Sequence, residues 1–157
     1  MSDTDNLTGE QQMAQQTRLL CESYRQWTGM RLIDADPASP EAVDELLHAP
    51  FAVVSHDTLN DPVFNYANHE ALKLFGMSRE EMLGLPSRLS AEPAAREERS
   101  NLLDRVTQHG YVDDYSGTRI SRDGLRFLIR NAVVWNVVDE RGDYKGQAAL
   151  IRDWMPV

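Results

Sequence analysis

Few groups in this chain could carry out chemistry. It has 157 residues, with four histidines (His48, His56, His69 and His109) and one cysteine, Cys21. The histidines show no H-x-H or H-x-x-x-H spacing, which would set two imidazoles on one face of a strand or helix, so no metal site is expected. A single cysteine allows neither an intramolecular disulfide nor a cysteine-built zinc site. Ser55-His56-Asp57 places a nucleophile, a base and an acid side by side. Neighbouring strand residues point to opposite faces, however, so these three cannot form a relay. There is no G-x-S-x-G elbow and no glycine-rich phosphate loop. Asp113-Asp114 reads as a solvated strand end. An acid/base enzyme working in an internal cavity stays open as an alternative function.

Composition bounds the partners. The net charge is -9, with 41% hydrophobic and 26% charged residues. An acidic chain is a poor match for nucleic acid or an anionic membrane, because phosphate binding needs a basic surface. The first residues, MSDTDNLTGE, lack the basic and apolar regions of a signal peptide. No apolar run approaches the length of a membrane span. A cytoplasmic location is the expectation.

The elements follow from caps and periodicity. Residues 1–8 read as a disordered tail and 9–40 as an N-terminal helix with a linker, leaving 41–157 for the domain. Thr8 and Gln11 form a capping box. Met13, Leu20, Tyr24 and Trp27 then share one helical face. DADPASP reads as a linker, and PEAVDELLHA as a short helix with Pro40 at its start. FAVVSH and PVFNYA read as strands. Asn68 caps HEALKLF, which Gly76 ends. Ser78 and Glu81 form a second capping box, and Ser90 is expected to cap a longer helix ending at Gly110. Three strands follow, in YVDDYSGTRI, LRFLIRNAVVWNVVD and QAALIRDW, the first two joined by an Asp-Gly hairpin. The prediction is an α+β fold: a five-stranded antiparallel sheet with short helices on one face and an N-terminal helix.

Alternation along the fourth strand sets Phe127, Ile129, Asn131, Val133 and Trp135 on one face. A polar residue on a core face must be hydrogen-bonded, so Asn131 either satisfies backbone groups or orients a ligand. Trp135 and Trp154 read as core aromatics. Arg88 and Arg96 flank the start of the long helix, where they could reach a cavity from its rim or pair with Glu92 and Glu97.

The element order resembles the PAS fold. NYANHEALKLFGMSREEMLGLP is similar to the PAS run of strand, Asn, short helix ending Phe-Gly, then Ser-x-Glu-Glu. Residues 119–154 resemble the MEKHLA family, a PAS-related domain, through Arg126-Phe127, Val134-Trp135-Asn136, Gly142, Gly146-Gln147-Ala148-Ala149 and Trp154. The resemblance implies a non-catalytic sensory or protein-interaction module with a small ligand in an apolar cavity and a separate protein as output partner. Asn131, Trp135, Phe127, Arg88 and Arg96 are the expected ligand-binding residues; the cofactor is unknown. His109 lies where some PAS domains carry a haem ligand, but before Gly110 it is better explained as a partner of the helix dipole. Flavin photochemistry in this fold needs a cysteine on a core helix, and Cys21 lies outside the domain. PAS domains often dimerise through the N-terminal helix, so Leu20, Tyr24 and Trp27 are expected at a homodimer interface.

Overall fold

The structure, a computed structural model, describes residues 8–157. The expected tail therefore lies outside the described residues, apart from Thr8. Helix α1 (Gly9–Thr28) begins at the anticipated Thr8–Gln11 capping box and ends on Gly29 in the left-handed region. Helix α2 (Pro40–Leu47) precedes strands β1 (Ala52–His56) and β2 (Phe64–Ala67). Helices α3 (His69–Phe75), α4 (Arg79–Met82) and α5 (Arg96–His109) come next, followed by strands β3 (Tyr111–Ile120), β4 (Arg126–Val138), β5 (Tyr144–Ile151) and β6 (Asp153–Pro156).

Asn68 turns the chain from sheet to helix. Its side-chain oxygen accepts from the amides of Val53 (2.9 Å) and Ala71 (3.1 Å), and its Nδ2 donates to the carbonyls of Leu46 (3.0 Å) and Phe51 (2.8 Å). One fully buried amide thus caps α3 and ties it to α2 and β1. The long helix starts later than expected. Ser90 does not cap it, because its hydroxyl donates to the Ser87 carbonyl inside a 3-10 turn. A second 3-10 turn at Pro93–Ala95 then leads into α5.

The antiparallel sheet has the order β2-β1-β5-β4-β3, with β6 also paired to β4. The single last strand expected from the sequence is therefore two. β5 and β6 run along β4 in one register, Val133 opposite Leu150 and Arg130 opposite Asp153, with pairing interrupted between.

The interruption lies opposite Asn131, whose φ of 53° is the only positive value at a non-glycine residue among those described. On its other side β4 shifts register against β3, with Tyr115 opposite Ala132 and Gly117 opposite Ile129. Two residues of β4, Arg130 and Asn131, stand against one of β3, a β-bulge. Strict alternation fails there, and the residues beyond change face. Phe127, Ile129, Ala132 and Val134 belong to the core under α3–α5. Trp135 and Val137 belong to the opposite core under α1. Asn131 is exposed, not on a core face. The placement of Asn131 and Trp135 beside Phe127 is thus corrected: the bulge puts one in solvent and the other behind the sheet.

The opposite core explains α1. Leu20 and Tyr24 are buried against the chain's own sheet, with the Tyr24 and Trp135 rings edge to face at 5.0 Å. Trp135 Nε1 donates to Ser23 Oγ at 3.0 Å, and Trp27 Nε1 to the Asn136 carbonyl at 2.8 Å. The linker is held as well. Leu32 and Ile33 are buried, and the amides of Asp34 and Ala35 donate to the Glu45 carboxylate. The helix face assigned from the sequence to a second chain is covered by the sheet, because a tethered linker does not let α1 swing away.

Trp135→Ala is expected to lower the unfolding free energy by about 3–5 kcal/mol, since a fully buried indole leaves a large void. Asn131→Leu acts only through the left-handed backbone and should cost about 1–2 kcal/mol. Chemical denaturation measures both, and a larger loss for Asn131→Leu would restore the alternating phase.

Candidate functional site

Beyond the bulge, the sheet face under α3–α5 is not wholly apolar. His56, Gln147 and Asn136 stand side by side on β1, β5 and β4, in paired register. Their side chains form a directed chain of hydrogen bonds. Asn136 Nδ2 donates to the Val106 carbonyl of α5 (2.9 Å), which fixes the orientation of its amide. Gln147 Nε2 donates to Asn136 Oδ1 (3.1 Å) and to the Leu103 carbonyl (3.1 Å). Gln147 Oε1 must then accept from His56 Nε2 (3.2 Å), so the proton of the neutral imidazole sits on Nε2. His56 Nδ1 is left to accept from Ser87 Oγ (3.0 Å), and that oxygen accepts from Arg99 Nη2 (2.6 Å).

Next to this row is a cavity of about 70 Å³ between α5 and the sheet. Val54, Phe75, Leu102, Ile129 and Ala149 supply apolar wall, while Arg99, Arg119 and Tyr115 supply polar wall. Arg119 comes from β3, opposite Phe127, and its guanidinium lies 5.3 Å from the centre of the Tyr115 ring. Gly117 makes room for the Tyr115 hydroxyl, because a Cβ there would sit 2.0 Å from it. Outside the cavity a surface cleft shares His56, Arg99, Leu103 and Gln147 with it, so these residues form the wall between cavity and solvent.

Burial controls the charges here. Loss of solvent, and then the nearby Arg99 cation, push the His56 imidazole down to about 4. Burial and the Arg119 cation lower Arg99 to about 10, so it stays charged at neutral pH. Cys21 is on the far side of the sheet, in the core under α1, where burial raises its thiol to about 12. A cavity of this size admits roughly five non-hydrogen atoms. A three-ring flavin does not fit it as it stands, and no thiol faces it among the described residues.

The sequence-derived residues are spread over several places. Phe127 is in the core under the helices, packed edge to face on Phe75 at 5.4 Å, but does not line the cavity. Arg88 and Arg96 line the outer cleft; Arg88 pairs with Asp61 (3.1 Å) and Arg96 donates to the Ala91 carbonyl (3.0 Å). Glu92, one of the partners expected for them, pairs with Arg126 instead. His56, Arg99, Arg119 and Gln147 were missed. Helical spacing does point to Arg99, three and seven residues before the buried Leu102 and Val106. Alternation from Tyr115 likewise points to Arg119.

His56 makes stability depend on pH. Its folded value lies below the usual 6.5, so the unfolded chain takes up the proton first. The contribution is complete above about pH 6.5 and is lost as pH falls toward about 4, a change of about 3 kcal/mol. His56→Gln cannot titrate and should flatten the stability curve within that window. Equal slopes for the two proteins in denaturation at stepped pH would refute the assignment.

None of the curated proteins matches the sequence. Similar solved structures include the PAS domain of a protein from Colwellia psychrerythraea, with TM-score 0.61, 19% identity, and coverage of 72% of this chain and 93% of that one. The light-state dimer of the fungal blue-light photoreceptor Vivid matches with TM-score 0.59 and 18% identity, over 88% of this chain and 93% of that one. An RNA-binding Light-Oxygen-Voltage receptor matches at TM-score 0.59 and 21% identity, over 73% of this chain and 32% of the receptor. At these identities the likeness is one of fold, and the fold is PAS-like. The MEKHLA domain matches residues 14–156, from within α1 to the last residue of β6, and the chain belongs to the MEKHLA domain family.

Proposed function

We propose that the chain is a non-catalytic sensory module in which occupancy of the cavity under α5 is transmitted through the sheet to α1 and from there to a partner protein. Asn136 carries this reading. Its side chain bonds the Val106 carbonyl and the Gln147 amide on the cavity side, and its own carbonyl accepts from Trp27 Nε1 on the α1 side. One residue of β4 thus holds both layers. Neighbouring positions behave likewise: Val134 and Ala149 line the cavity, Trp135 belongs to the core under α1, and Ala148, its partner in the adjacent register, belongs to both. A ligand that changes the spacing of β4, β5 and α5 biases the docking of α1 by its differential contact with two arrangements.

The chemistry of the wall supports a binding role over an acid/base one. Besides Tyr115, whose hydroxyl donates to Glu98 and whose proton is held more tightly by burial, His56 is the residue there with a suitable side chain. Both its nitrogens are committed to Ser87 and Gln147, and its low proton affinity makes it a weak base at neutral pH. No helix among the described residues is long and apolar enough to cross a membrane.

The indole N–H signals of Trp27 and Trp135 report on α1 directly. Compounds of about five non-hydrogen atoms that shift the Ala149 amide resonance should also shift the Trp27 indole signal. Ala132→Leu, which fills the cavity, should abolish both responses. Shifts confined to the cavity wall, with the indole unmoved at saturation, would reduce the site to a passive pocket.

A further inference from the structure

We propose that the cavity takes a short-chain carboxylate, held between the guanidinium groups of Arg99 and Arg119 with its hydrocarbon end against Phe75, Leu102 and Ile129. The inference rests on the sensory reading and names the class of its ligand.

Arg119 is 7% exposed and lies against Tyr115, and its side chain makes one hydrogen bond to the backbone, from Nη1 to the Thr118 carbonyl at 2.9 Å. The Arg99 side chain makes one hydrogen bond, to Ser87 Oγ at 2.6 Å. A guanidinium has five N–H donors, so each retains donors for a further acceptor. Among the described residues neither cation has a carboxylate within 4.0 Å, although Arg18, Arg88, Arg122, Arg126 and Arg130 all do. Glu98, beside the polar wall, takes a hydrogen bond from the Tyr115 hydroxyl at 3.3 Å, and Asp61, which lines the outer cleft with Arg99, is paired with Arg88 at 3.1 Å. Both cations thus line one cavity, Arg119 buried and Arg99 half-buried, and neither has a carboxylate in direct contact among the described residues. Such an arrangement is costly unless an anion completes it.

Three features narrow the anion. A planar carboxylate matches the fork of a guanidinium, so two arginines can each offer it paired donors. The remaining lining is largely apolar, which suits a hydrocarbon tail and not a fully hydrated ion such as phosphate. The volume of about 70 Å³ limits the whole molecule to a few carbon atoms. Access is through the wall that Arg99 shares with the outer cleft.

Butyrate, 1-butanol and inorganic phosphate test this, using the full chain and amide chemical shifts of the cavity residues. Butyrate should bind at least tenfold more tightly than 1-butanol, and phosphate should not compete with it at equal concentration. Arg119→Gln and Arg99→Gln should each weaken butyrate at least tenfold and leave 1-butanol unchanged. Equal or tighter binding of 1-butanol overturns the carboxylate assignment while leaving a ligand-binding module. Competition by phosphate of equal strength makes the site a general anion site and also overturns it. If none of the three shifts any cavity resonance at tens of millimolar, both the carboxylate and the sensory reading fall. Should an arginine variant not fold, the comparison of butyrate with 1-butanol in the wild type still decides.

Discussion

The bulge at Arg130 and Asn131 is the constraint on which the two-sided sheet depends. Before it, β4 turns Phe127 and Ile129 toward the helical layer. After it, Ala132 and Val134 take over that face, and the bulky Trp135 goes to the other. A regular strand would send Val133, Trp135 and Val137 under α5 and bring Ala132, Val134 and Asn136 out beneath α1. An indole would then occupy the side where the cavity now is, and the polar row would lose Asn136. The small side chains that leave room for a cavity, and the large one that anchors α1, are both consequences of one extra residue.

The same constraint explains why a polar row is tolerated in the interior. His56, Gln147 and Asn136 are buried, and each donor or acceptor in the chain meets a partner, down to the Leu103 and Val106 carbonyls of α5. A half-satisfied row would be worse than an apolar one, and a complete row fixes the height and rotation of α5 above the sheet. Helix α5 has few apolar residues to do this alone, with Leu102 and Val106 the ones it buries fully. Close approach of β1 and β5 is part of the arrangement. A Cβ at Gly146 would lie 2.0 Å from the His56 carbonyl oxygen.

What was legible in the sequence was local. Asn68 and the Thr8 and Ser78 capping boxes use side chains within three residues of the helix amides they satisfy, the Gly76 stop needs only a left-handed backbone, and each forms as read. The α+β order followed from them. The bulge was not legible, because Arg-Asn inside an apolar strand carries no glycine or proline to mark it, although asparagine is among the residues that tolerate the left-handed region. Everything inferred beyond it by alternation therefore changed face. The break between β5 and β6 was hidden for the same reason, since it answers a distortion in a neighbouring strand. The role of α1 was misread because the amphipathic stripe of Leu20 and Tyr24 states only that the face is covered. The anchoring of the linker by Glu45, a contact across ten and more residues, decides what covers it.

The charge distribution sets the surface of the fold apart from its interior. The chain carries a net charge of -9, so its general field repels anions and slows their approach. The outer cleft does not reverse this: Arg88, Arg96 and Arg99 are offset there by Asp57, Asp61 and Asp104, and Arg88 is already paired with Asp61. Electrostatic steering at the mouth is therefore weak, and screening by salt would weaken it further. Inside, where solvent is scarce, Arg119 has Tyr115 stacked beneath it and no acid of its own among the described residues. A charge in that setting acts over short distances at high strength. On the proposed reading, discrimination among small molecules falls to the inner wall, the same wall whose strands carry α1 on their other face.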